Sequence, residues 1–279
     1  MSLWYWLTDL LPLEFLSMTF MKNALLAVLV MGPLFGILST MVVTGKMSFF
    51  SDALGHSAFT GIAIGVLCGA AFPIWFAVAL SVAFAFLFSY VKTKSHQAAD
   101  TIIGVFSSTA VALGIFIATL KGSSFTKFNT YLIGDILSVT PGEIGLMALA
   151  LLVVAILWYF FSNRLMLTAV HPQLAASRGL RVRSIETFFT ALVAVVVTLA
   201  LNWVGLMVIN SLLVLPAASA RNVAKNLRQY HGFSVLFALL GGIAGLVTAY
   251  YAGCSAGAAI SLYLAAFFAV TFCLRKKAV

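Results

Sequence analysis

The segment Ser51-Asp52-Ala53-Leu54-Gly55-His56-Ser57 places a carboxylate and an imidazole four residues apart. On a helix that spacing puts both on one face, one turn apart. A carboxylate and an imidazole on one face can coordinate a borderline divalent metal. Ser51 and Ser57 add polar atoms nearby. Two ligands do not close a site, so other helices or a partner chain would have to complete it. The plainer reading is a helix-start Asp with a satisfied His near a membrane interface. Spacing alone leaves both open.

The remaining titratable residues offer less. Asp100, Glu143 and Glu186 each stand at the start of an apolar run and read as helix-terminus acids. Asp135 lies in a polar stretch able to meet an external partner. His96, His171 and His231 fall between apolar runs and read as solvated loop histidines. Cys68, Cys254 and Cys273 form no CxxC pair and read as filler of membrane helices. The chain has no GxxxxGK[ST], HExxH or GxSxG motif. It therefore reads as a conduit whose energy comes from another subunit or an ion gradient. The N-terminus lacks a basic start and a small-residue cleavage site, so no signal peptide is expected.

The elements that position these residues follow from composition. Of 279 residues, 63% are hydrophobic and 8% charged, with a mean hydropathy of +1.11. That excludes an ordinary soluble domain, of which about 25% is charged, and it excludes disorder. The expectation is an all-α polytopic membrane protein of about nine spans, eight to ten with redrawing, since each span takes ~20 apolar residues. They read as 24–43, 51–72, 74–91, 101–120, 144–161, 185–201, 204–220, 233–251 and 258–274. A single transmembrane domain fills 1–279, with an interfacial segment at 1–22, a helical bundle at 24–274 and a basic loop at 162–184. Gly61 with Gly65, and Gly241 with Gly245 beside Gly242, have the small-residue spacing that lets helices approach closely.

The net charge of +9 reflects basic residues in short loops, and nucleic acid is not expected as a partner. With the C-terminus in the cytoplasm, the inside loops carry Lys46; Lys92 and Lys94; Arg164, Arg178, Arg181 and Arg183; Arg221, Lys225 and Arg228; and Arg275, Lys276 and Lys277. Only Lys22, Lys121 and Lys127 fall outside, the asymmetry that sets orientation.

Two longer motifs narrow the class. Residues 49–65 read FFSDALGHSAFTGIAIG, and residues 204–224 read VGLMVINSLLVLPAASARNVA, with Gly205, Leu215, Pro216, Ala217 and Arg221 at marked positions. With YLIGDIL at 131–137, they resemble, in order along nearly the whole chain, the membrane permease subunits of bacterial zinc/manganese/iron ABC importers.

The resemblance implies a fold similar to the vitamin-B12-type importer permease. It implies two permease subunits, identical or related, around a central path in the bacterial cytoplasmic membrane. Cytoplasmic ABC ATPase subunits and an extracytoplasmic metal-binding protein would be the other partners, besides membrane lipid. The chain would be no enzyme and hold no permanent cofactor, only the transported ion, which Asp52 and His56 would handle. The ATPase-coupling loop would map to His171, Pro172, Gln173, Leu174, Ala175, Arg178, Gly179 and Arg181. Where the family often has Asp-Pro-Glu-Leu-Ala, this chain reads His-Pro-Gln-Leu-Ala. Manganese- and iron-type relatives often carry Leu-Pro-Gly after the His. Phe59-Thr60-Gly61 stands here, which tilts the expected cargo towards zinc. The competing readings are a gradient-driven secondary transporter using Asp52, an intramembrane hydrolase or transferase, and a structural or assembly protein.

Overall fold

The computed structural model describes residues 2–9, 14–95, 97–119, 134 and 136–275. His96, Asp135, Lys121, Lys127, Lys276, Lys277 and most of the 131–137 motif lie outside the described residues. Those described form helices and turns, with no strand among them. The helices are α1 (Ser2–Asp9), α2 (Thr19–Thr44), α3 (Phe50–Leu67), α4 (Ile74–Lys94), α5 (Ala99–Thr119), α6 (Pro141–Val170), α7 (Pro172–Ser177), α8 (Val182–Val204), α9 (Leu206–Val223), α10 (Leu227–Ala252) and α11 (Ala256–Leu274). All but α1 and α7 are long and apolar enough to cross a membrane, giving nine candidate spans among the described residues.

Most boundaries shift by a few residues from the sequence reading, α2 starting at Thr19 rather than 24, and four of the shifts have a clear local reason. The second span ends at Leu67 because Gly69 turns the chain at φ +69°, closing the helix with Ala70 N–H donating to Gly65 O. The fifth continues nine residues beyond Phe161, through part of the expected loop, because Leu165, Met166 and Thr168 turn inward and no breaker comes before Pro172. The sixth runs through Asn202 and Trp203 to Val204. Gly205, at φ +79°, makes the break. The eighth starts at Leu227 because Asn226 caps it, accepting from Gln229 N–H at 2.9 Å.

The chain divides into two compact units. One comprises residues 1–40, 135–156 and 203–279. Within it α9, α10 and α11 pack on one another, and α2 lies against α10. Glycine makes these approaches possible. A Cβ on Gly36 would meet Val235 Cα at 2.7 Å, and one on Gly245 would meet Ile260 N at 2.5 Å. Buried hydroxyls reinforce the seam: Ser234 Oγ donates to Gly36 O at 2.7 Å and lies 2.8 Å from Ser39 Oγ. At the N-terminus, Trp4 Nε1 donates to Lys22 O at 3.0 Å and Tyr5 OH donates to Asn23 Oδ1 at 2.7 Å, tying α1 to the start of α2.

The other unit comprises residues 41–134 and 157–202. Here α3 packs between α4 and α5. Phe50, Phe84, Phe88 and Phe106 form an aromatic cluster around its first turns, with Phe84 and Phe106 edge to face at 5.1 Å. Ser57 Oγ lies 3.1 Å from Ser81 Oγ, and Thr60 Oγ1 donates to Ala110 O at 2.7 Å. The side chains of Ser89 and Thr187 hydrogen-bond α4 to α8.

Candidate metal pair and coupling helix

Helix α3 begins at Phe50, so Asp52 stands in its first turn, where the helix dipole favours an anion. Its neighbours Ser51, Ala53, Leu54, Gly55, Ser57, Ala58 and Phe59 are all buried, which leaves Asp52 and His56 on the one open face of these two turns. Asp52 Oδ2 lies 3.5 Å from His56 Nε2, with side-chain exposures of 41% and 25%. Two donors each ~2.1 Å from one ion at a tetrahedral angle stand about 3.4 Å apart. The separation therefore fits joint ligation of one ion. No third His, Cys, Asp or Glu joins them among the described residues. Such a pair could contribute two ligands to an ion and would leave its other coordination positions open.

The expected coupling segment is the short helix α7. His171 precedes it, Pro172 occupies its first position, and Gly179 closes it at φ +76°. Leu180 N–H donates to Ala175 O at 3.1 Å in the closing turn. Ala175 is fully buried and anchors the helix, while His171, Pro172, Gln173, Leu174, Arg178, Gly179 and Arg181 are exposed. In the second motif, Gly205 makes the positive-φ break before α9. Pro216 and Ala217 are buried within that helix, Leu215 is partly buried, and Arg221 is exposed in its last turn.

Some residues take roles that spacing did not reveal. His231 is not a solvated loop histidine. It lies in the second turn of α10 with Nδ1 2.9 Å from Thr40 Oγ1, because the helix starts six residues earlier than its apolar run. Glu186 forms an ion pair with Lys92, Oε2 to Nζ 3.6 Å. Nothing in the sequence links residues so far apart. Glu143 acts as expected, accepting from Thr140 N–H and Oγ1 at 2.8 Å each, and Asp100 lies in the first turn of α5. All three cysteines are free and exposed.

A family model described as the ABC 3 transport family matches residues 17–275. The chain belongs to the ABC 3 transport family. Among its relatives is the high-affinity zinc uptake system membrane protein ZnuB of Haemophilus influenzae. It is 26% identical over 254 residues, covering 91% of this chain and 97% of the relative. The manganese import system permease protein ScaB of Streptococcus gordonii is 31% identical over 262 residues, covering 92% of each. Among solved structures, PsaBC from Streptococcus pneumoniae in complex with Fab superposes with a TM-score of 0.79 at 27% identity, covering 98% of this chain and 95% of that one.

The resemblance drawn from the Asp52–His56 and Leu215–Arg221 motifs is borne out, and so is the all-helical permease fold. As a member of the ABC 3 transport family the chain is a multi-pass membrane permease subunit. ATP hydrolysis in such importers belongs to a separate subunit.

Proposed function

We propose that this ABC 3 family permease carries divalent transition-metal ions inward, and that Asp52 and His56 are the residues that handle the ion in transit. The observation that carries the reading is the 3.5 Å carboxylate–imidazole separation on the one open face of the first two turns of α3. A second permease copy, or a related chain, would bring a second such face and complete the coordination. Half-sites carried on two chains can draw apart and so release an ion more readily than four ligands fixed on one chain, as conduction requires.

Orientation follows the charge asymmetry: the C-terminus and the ends of the spans carrying Lys46, Lys92 and Arg275 face the cytoplasm of a bacterial inner membrane. The exposed face of α7, with Leu174, Arg178 and Arg181, then receives the ATPase. ATP binding draws two ATPases together, moves that helix, and alternates access around the ion path. An extracytoplasmic binding protein delivers the ion from the other side. Zinc is the proposed cargo. The His56 imidazole suits zinc and the Asp52 carboxylate suits manganese, so the preference rests on Phe59-Thr60-Gly61, which replaces the Leu-Pro-Gly typical of manganese types. The relatives include both a zinc and a manganese system, so manganese is the competitor.

The test is uptake of zinc, manganese and iron by cells expressing the chain with its ATPase, against a His56→Ala control. ATP-dependent uptake of one metal, lost in the variant, is the expected result. Uptake that the variant retains would remove the pair from the path.

A further inference from the structure

A cavity of about 390 Å³ opens within the second unit, and neither Asp52 nor His56 lines it. Its lining comes from the end of α2, the turn into α3, the end of α4, the junction of α6 with α7, and α8. Lys46 and Lys92 supply two cations, and Glu186, paired with Lys92 at 3.6 Å, supplies one carboxylate. The lining thus carries a net charge of +1 beside the Thr44 hydroxyl. The lining also includes Met41, Met47 and Phe189, all buried and apolar. The two lysines make the cavity a poor way station for a divalent cation, which they repel at short range. A net +1 next to an apolar wall matches an amphiphile with a singly charged anionic head. The volume lies within the ~300–1,000 Å³ range of small-molecule sites.

We infer that this cavity binds the phosphodiester headgroup of an anionic phospholipid, with Lys46 and Lys92 on the phosphate and the apolar wall against the glycerol end. Such lipid concentrates in the cytoplasmic leaflet, where basic pockets between spans recruit it. The cavity's own lysines mark it as lying at that face, so the binding assignment rests on the orientation proposed above, and the lipid's regulatory place rests also on the metal pair and coupling helix of that reading. Its position gives the lipid a regulatory place. One wall is the Gly45-Lys46 turn that leads into α3 and the metal pair. Another is Val170 and Pro172, which lead into the coupling helix. A bound headgroup would brace both ends of the coupling path at once.

The test reads lipid retention, not transport. The full-length chain, purified with its ATPase, is reconstituted in equimolar phosphatidylglycerol and phosphatidylcholine. The complex is then exchanged into detergent, and retained lipid is quantified by mass spectrometry. Lys46 sits in the left-handed region at φ +53°, a conformation Asn accepts at low cost, so Lys46→Asn removes the charge while keeping the turn. The expected result is selective retention of phosphatidylglycerol, reduced about fivefold in Lys46→Asn. A second variant, Lys92→Gln, should reduce it likewise. Equal retention of the two lipids, or retention unchanged in Lys46→Asn, overturns the assignment. Lys46-dependent binding of inorganic phosphate in pure phosphatidylcholine, without phosphatidylglycerol enrichment, would assign the site to a free anion instead. If Lys46→Asn weakens ATPase association and leaves lipid retention intact, the cavity takes an acidic side chain of that partner and the lipid assignment fails. Failed metal uptake leaves the inference standing, and a reversed orientation is read separately by cysteine labelling.

Discussion

Gly61 of α3 and Ala77 of α4 are so close that a Cβ on Gly61 would stand 2.5 Å from Ala77 Cα and 2.8 Å from Phe76 O. Both are backbone atoms of a neighbouring helix, which cannot swing aside as a side chain can. Gly61→Ala must therefore push α4 away from the helix that carries Asp52 and His56. Overpacking of this kind costs about 1–3 kcal/mol. Gly104 of α5 is the control, since a Cβ there meets nothing within 4 Å. In detergent-purified protein, Gly61→Ala should lower the melting temperature by several degrees while Gly104→Ala leaves it level or slightly raised. Equal melting curves would mean that the α3–α4 seam is looser than its geometry.

The glycine spacing at 61/65 and 241/245 made this kind of seam legible in the sequence, because small residues one turn apart on an apolar helix have few other uses. The nine apolar runs were legible for a similar reason: length and hydropathy are local properties. Helix ends were less so. The extension of α6 past Phe161 depends on which way Leu165 and Met166 point, and that is decided by neighbours distant in the chain. The Asp52–His56 pair was visible because its geometry is set within one helix. The Lys92–Glu186 pair and the His231–Thr40 contact join residues from separate helices, and no spacing rule reaches them.

Asp52 and His56 should be dispensable for folding. Both are partly exposed, and their mutual ion pair at 3.5 Å is of the kind worth ~0–1 kcal/mol. Asp52→Ala and His56→Ala should each melt within a few degrees of the parent, assemble at normal levels, and lose uptake at least tenfold. A variant that fails to assemble would point to a structural role for the residue.

Orientation can be read from the chain's own thiols. Cys68 follows α3 and Cys254 precedes α11, and both are free and exposed. With the C-terminus inside, both turns face out, so a membrane-impermeant maleimide should label single-cysteine forms of each in intact cells. Labelling of both only after permeabilisation would invert the topology and carry α7 to the side away from a cytoplasmic ATPase.

The short helix α7, proposed above to receive the ATPase, sets a buried and an exposed residue side by side. Ala175 is fully buried and Leu174 is 44% exposed. Ala175→Leu adds volume where none is available and should reduce folded yield. Leu174→Glu alters only the outward surface, so folding and membrane insertion should be unchanged. If that surface meets the ATPase, the charged residue desolvated there should weaken association roughly tenfold or more. The permease would then remain in the membrane while ATPase co-purification and uptake fall together. Normal co-purification with Leu174→Glu would move the docking surface off α7, most directly towards Arg221 at the exposed end of α9, where the second motif also terminates.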